Sequence, residues 1–141
     1  MILDLEEAKK LLLENGYTCV VKKEELVYTS MERGVKPLLN WLDSDNRLYG
    51  FVAADKVVGK AAAMIYVLLG IKEVYAAVIS TEAKRILEKY QIEVSYDKLT
   101  ERIYNRTNTG YCPMEEAVWE IEDLQEAVQA VRDKLKQLQQ G

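Results

Sequence analysis

Apolar residues recur at helical spacing from Asp4 to Asn15, where Leu5, Ala8, Leu11 and Leu12 share one face and Gly16 supplies a stop. Thr18 to Lys22 and Leu26 to Thr29 are β-rich runs separated by Lys23-Glu24-Glu25, the pattern of a hairpin with a short polar turn. Lys36-Pro37 opens a short helix with Leu38, Leu39 and Leu42 on its buried side, and Asp43-Ser44-Asp45-Asn46 ends it. Leu48 to Ala54 reads as a buried strand. Val58 to Leu69 reads as a helix with Val58, Ala61, Ala62, Ile65, Leu68 and Leu69 inside and Gly70 as its stop. The apolar run Val74 to Ile79 predicts a strand covered on both faces. Ser80-Thr81-Glu82 opens a helix that runs to about Tyr90, with a capping hydroxyl and a first-turn acid. Ile92 to Tyr96 is a further strand, and Leu99 to Tyr104 fits either a strand or a short helix.

A polar loop, Asn105 to Cys112, follows. Pro113 then begins a helix that continues or kinks near Glu122-Asp123 and ends near Gln139. Alternating strands and helices predict an α/β fold, a three-layer α/β/α sandwich whose sheet is mixed because of the hairpin. The 141 residues suit one domain, with a core over 1–103 and a loop and long C-terminal helix over 104–141.

Composition adds one sharp exclusion, because the chain contains no histidine. Histidine general acid/base chemistry, Ser-His-Asp and Cys-His pairs and every histidine-containing zinc site are therefore out of reach. Two cysteines, Cys19 and Cys112, are too few for an all-thiolate zinc site, so no metal or other cofactor is expected. The net charge is −4, and residues 114–141 carry all of it with 7 acidic and 3 basic side chains. No segment carries a basic stripe, which argues against nucleic-acid backbones as partners. The N-terminus has no basic n-region, and the longest apolar stretch, Ala61 to Leu69, is about half a membrane span. The expected setting is the cytoplasm, with no membrane partner and both cysteines as thiols.

The order of elements over residues 1–103 resembles the cytidine-deaminase-like fold. In that family, the helix after the third strand opens with a zinc ligand and a catalytic glutamate, as His/Cys-Ala-Glu. The next helix opens with Pro-Cys-x-x-Cys. The matching stretches here are Asp55-Lys56-Val57-Val58-Gly59-Lys60-Ala61-Ala62-Ala63 and Ser80-Thr81-Glu82-Ala83-Lys84, and neither holds His or Cys. The segments Thr29-Ser30, Gly34-Val35-Lys36-Pro37-Leu38-Leu39 and Gly59-Lys60-Ala61 look like a zinc-less branch of these proteins, a domain of unknown function. The resemblance implies a fold and a site location, without the deamination that needs a metal-activated water.

That location selects the candidate residues. Asp55, Lys56, Gly59 and Lys60 lie between a strand end and a helix start, where open α/β sheets bind ligands and helix N–H groups suit anions. Asp55 would act as a base or hold a hydroxyl; otherwise it caps the helix and the lysines are solvated. Thr81 opens the second helix of the resemblance. Cys112 precedes Pro113 at an N-cap, a position that favours thiolate chemistry, although Glu115 and Glu116 oppose it and no histidine can serve as its base. Asn105 and Arg106 stand in the polar loop, and Arg106 suits a bidentate grip on phosphate or carboxylate. Ser30, after the hairpin, would reach the same edge as Asp55, or else simply cap. Cys19 reads as a core residue.

Two functions from different classes follow. One is a site for a nucleotide or another anionic metabolite near Asp55 and Lys60, with covalent chemistry at Cys112; the sequence does not separate an enzyme from a ligand sensor. The other is a non-catalytic interaction or regulatory domain that kept the fold and lost the metal. In the C-terminal helix, Val118, Ile121, Leu124, Val128, Val131, Leu135 and Leu138 form a nearly heptad seam. That seam packs on the chain's own sheet or joins two copies as a homodimer.

Overall fold

The computed structural model describes residues 3–32, 34–44, 48–104 and 110–140. Its elements run α1 (Asp4–Glu14), β1 (Cys19–Lys23), β2 (Leu26–Ser30), α2 (Lys36–Asp43), β3 (Val52–Val58), α3 (Lys60–Leu69), β4 (Glu73–Ser80), α4 (Thr81–Lys89), β5 (Glu93–Thr100), α5 (Pro113–Val118) and α6 (Leu124–Gln140). One five-stranded sheet has the order β2-β1-β3-β4-β5. β1 is antiparallel to both β2 and β3, whereas β3, β4 and β5 are parallel. The α/β class and the mixed sheet thus agree with the sequence pattern. A short turn can join antiparallel strands, but parallel ones need a crossover, which α3 and α4 supply.

The layers differ from a plain sandwich. Among the described residues, α1 alone covers one face, where Ala8 and Leu12 pack with Val20, Val52, Ala54 and Tyr75. The other face carries α2, α3 and α4, and α5 and α6 pack in turn on α3. α3 is therefore enclosed: every residue from Lys60 to Tyr66 is buried. The sequence reading gave α3 an inner stripe, but an extra helical layer covers its outer side, and Leu68 of that stripe is only half-buried. The inner residues of the C-terminal seam, Val118, Val128 and Val131, serve this layer, not the sheet. Leu138 at the far end is exposed. The helix from Pro113 does not run through: it stops at Val118 and restarts at Leu124.

One boundary error matters for the site. The strand expected at Leu48 to Ala54 lies at Val52–Val58. Leu48 to Phe51 is a turn, closed by the Phe51 N–H donating to the Leu48 carbonyl at 3.0 Å, with Gly50 at φ +78°. A positive φ suits glycine because it has no Cβ. Asp55 is thereby mid-strand and opposite Cys19, not at the strand's end. The fifth strand also runs longer than expected and absorbs Leu99 and Thr100.

Candidate functional site

α3 begins with Gly59 at its N-cap and has no acidic residue in its first turn. A buried helix start needs acceptors for its free N–H groups. They come from Glu115, on α5. Its carboxylate accepts from the N–H groups of Lys60 at 2.7 Å and Ala61 at 2.9 Å. Glu115 is 2% exposed. Burial pushes its carboxyl above the ordinary glutamate value, while the two N–H groups and the charges of Arg102 and Lys60 pull it back. The seat that the sequence assigned to an external anion thus holds the chain's own carboxylate.

Gly59 makes room for this contact. A Cβ there would clash with the Glu115 carboxyl carbon and both of its oxygens. Gly59→Ala is expected to destabilise the fold by about 2 kcal/mol through overpacking, measured as a lower midpoint in urea unfolding.

Lys60 departs from its expected role. Its sequence position predicts contact with a ligand or solvent, yet it is 2% exposed. Its ammonium donates to the Trp119 carbonyl at 2.9 Å and lies 3.9 Å from Glu82 and 3.7 Å from Glu122. Arg85 joins the same two carboxylates at 2.7 Å each. Two cations and two carboxylates therefore lock α3, α4 and the α5–α6 junction together. Arg102 adds a further clamp, its guanidinium lying 3.7 Å from the Tyr111 ring centre and 3.6 Å from that of Trp119.

Asp55 belongs to a second cluster. Tyr66 donates its hydroxyl proton to Asp55 Oδ2 at 2.7 Å, and the Val57 N–H reaches Oδ1 at 3.3 Å. Cys19 Sγ lies 3.1 Å from Tyr66 Oη. Tyr66 has one hydroxyl proton and spends it on Asp55, so the Cys19 thiol is the donor in that second bond. Burial raises the Asp55 carboxyl to about 7, against the hydrogen bonds that favour its charge. Burial and the neighbouring Asp55 charge hold the Cys19 thiol well above its ordinary value. Cys19 is buried, as the sequence suggested, but it ends a polar chain that local pattern does not reveal. Tyr66 lies six residues into α3 beyond Lys60, ~9 Å along a helix axis. The structure thus sorts Gly59 and Lys60 into one cluster and Asp55 into another.

The remaining candidates are dispersed. Ser30 is opposite Cys19 on the side away from Asp55, and its hydroxyl accepts from the Glu32 N–H at 3.0 Å. Lys56 is exposed. Thr81 is exposed and lines an open groove of about 600 Å³ with Lys84, Arg85, Glu88, Lys89 and Leu99. The capping hydroxyl of that helix belongs to Ser80, which accepts from the Ala83 N–H at 3.1 Å. Cys112 is the N-cap of α5 and half-buried, but its side chain caps nothing. Asn105 and Arg106 lie outside the described residues. Among the described residues, no group of three or more His, Cys, Asp or Glu side chains could hold a metal ion. Nor is any described helix long and apolar enough to cross a membrane.

The family model TM1506, Domain of unknown function (DUF1893), matches residues 7–135. The chain belongs to the DUF1893 family. A crystal structure of a DUF1893 family protein, TM1506 from Thermotoga maritima, is similar to it with a TM-score of 0.86 and 27% identity, over 93% of this chain and 89% of that one. No curated protein matches. The DUF1893 match includes Gly59, Lys60 and Glu115, so the capped α3 start lies inside the family's domain.

Proposed function

We propose that this DUF1893 chain is a non-catalytic interaction domain built on a cytidine-deaminase-like fold. The hairpin followed by two parallel crossovers supports that fold. The observation that carries the reading is the Glu115 carboxylate on the α3 N-terminus. In the resembling family, the metal and its glutamate stand at that helix start. Here a buried acid from the chain itself satisfies the N–H groups, and Lys60 points into a neutral ion cluster.

Thermal-shift measurements against nucleotides and nucleosides, with metal analysis of the pure protein, test this. The expected result is no metal and no shift above ~1 °C. A ligand present at 100 times its Kd would add ~2.7 kcal/mol and move the midpoint by several degrees. Such a shift, or one bound zinc, would overturn the reading.

One observation favours a second reading, a small-molecule site at Asp55. The Cys19–Tyr66–Asp55 chain places an acid that titrates near neutrality beside a thiol, although that thiol is held protonated. A nucleotide or anionic metabolite whose stabilising effect vanishes in Asp55→Asn would select this reading. Reaction of Cys112 with the same molecule would add the covalent step that its N-cap position suggests. Pairing of two copies through α6 is not part of either reading, because Val128 and Val131 already pack inside the chain.

A further inference from the structure

Among the described residues, β2 is an edge strand paired only with β1. Its register runs unbroken from Cys19↔Ser30 to Lys23↔Leu26, so no bulge twists it away. Its five residues, Leu26, Val27, Tyr28, Thr29 and Ser30, include no charged side chain and no proline. An edge strand presents unpaired N–H and C=O groups, and charges, proline and bulges are the usual devices that keep other strands off it. β5, the opposite edge, has such devices: it carries Glu93, Asp97 and Lys98, and its pairing on β4 skips Ala77 and Asp97. β2 has only its shortness. It also leaves apolar side chains in solvent, with Leu26 52%, Val27 37% and, just beyond the strand, Met31 65% exposed.

The occupant that fits this edge is a second copy of the same strand. A charged partner strand finds no counter-charge on β2, whereas a neutral β-branched and aromatic one matches it, and β2 is itself such a strand. Two-fold symmetry pairs it antiparallel with itself, the isologous arrangement commonest among oligomers. With Tyr28 on the axis, all five residues are paired: Leu26 opposes Ser30, Val27 opposes Thr29, and Tyr28 opposes Tyr28 of the second copy. Each Tyr28 is already stacked on Phe51, with ring centres 5.8 Å apart and planes 12° apart, so two fixed aromatic rings meet on one face. The Val27–Thr29 contacts, β-branched on β-branched, lie on the other face. Any other antiparallel register leaves part of the strand unpaired. We infer that two copies of the chain join β2 to β2, antiparallel about Tyr28, and merge their two sheets into one. This rests on the interaction-domain reading above and names its partner. Five residues a side make a small interface, so the association is weak and depends on concentration.

The test is sedimentation velocity on the full chain from about 5 µM to about 500 µM, a range that reads a weak dimer. The expected result is a reversible monomer–dimer equilibrium that salt does not weaken, because uncharged groups hold it. Two double variants at exposed positions fix the surface and the register, with the melting temperature of each checked. Val27→Lys/Thr29→Lys sets like charges opposite each other on both sides of the axis and should associate at least tenfold more weakly. Val27→Lys/Thr29→Glu sets opposite charges in the same two places and should still dimerise. A wild-type chain that stays monomeric at the highest concentration would overturn the inference. So would a dimer that persists undiminished in the Lys/Lys variant, or one that is lost in the folded Lys/Glu variant. Nucleotide stabilisation alongside a β2 dimer would remove the earlier reading alone. No stabilisation and no dimer would remove only this one.

Discussion

Glu115→Ala is expected to lower the melting temperature by roughly 10 °C, because truncating a buried carboxylate that accepts two N–H bonds costs ~3 kcal/mol in a domain of this size. The loss has two parts. The Lys60 and Ala61 N–H groups lose their acceptor inside a helix start that solvent does not reach freely. The Lys60 ammonium also loses a nearby negative charge, although Glu82, Glu122 and the Trp119 carbonyl remain. Glu115→Gln keeps one side-chain oxygen and should fall between wild type and alanine. Differential scanning calorimetry orders the three. An alanine variant within ~1 °C of wild type would mean that the contact contributes little and that the α3 seat is open to competition.

The second large effect is a pH dependence centred on Asp55. Its carboxyl has an ordinary value of 3.8 and a folded value of about 7. A raised folded value favours folding while the group is protonated. That contribution is complete below about pH 4, falls as pH rises, and is gone above about pH 7. The span of about three units corresponds to stability on the order of 4 kcal/mol. Asp55→Asn keeps an acceptor for the Tyr66 hydroxyl and removes the ionisation. The variant should therefore gain on wild type as pH rises from 5 to 8. Urea unfolding of both proteins at each pH isolates the term, because the other titrating groups cancel in the difference. A difference that stays constant from pH 5 to 8 would show that Asp55 ionises normally in the fold.

Much of the fold was legible because local rules wrote it. Ser80 caps α4 as its hydroxyl suggested, Gly70 ends α3 at φ +84°, and the hairpin lies where its polar turn predicts. β3 was misplaced because Leu48, Tyr49 and Phe51 look like a strand in composition, while Gly50 makes them a turn. That displacement carries Asp55 from the end of its strand to the middle of it. The site was less legible because its contacts are long-range. Glu115 meets Lys60 across 55 positions, and Cys19 meets Tyr66 across 47. Spacing rules hold no information at that range. Two signals were nonetheless present. The α3 start has no acid and no capping hydroxyl of its own, so an acceptor had to arrive from elsewhere. Tyr66 is a lone hydroxyl in an apolar helix that proves buried, and a buried hydroxyl needs a partner.

The Glu115 contact also bears on how the chain comes into being. During synthesis from the N-terminus, β3 and the start of α3 emerge more than fifty residues before the carboxylate that completes them. Until then the α3 start lacks its acceptor, and the α6 residues Val128 and Val131 are not yet there to cover the helix. Residues 1–103 look like a finished domain with an appended tail, yet their central helix is left half-built without that tail. The last quarter of the chain thus supplies both the acceptor at the α3 start and the cover over its outer side, contacts that residues 1–103 cannot make by themselves.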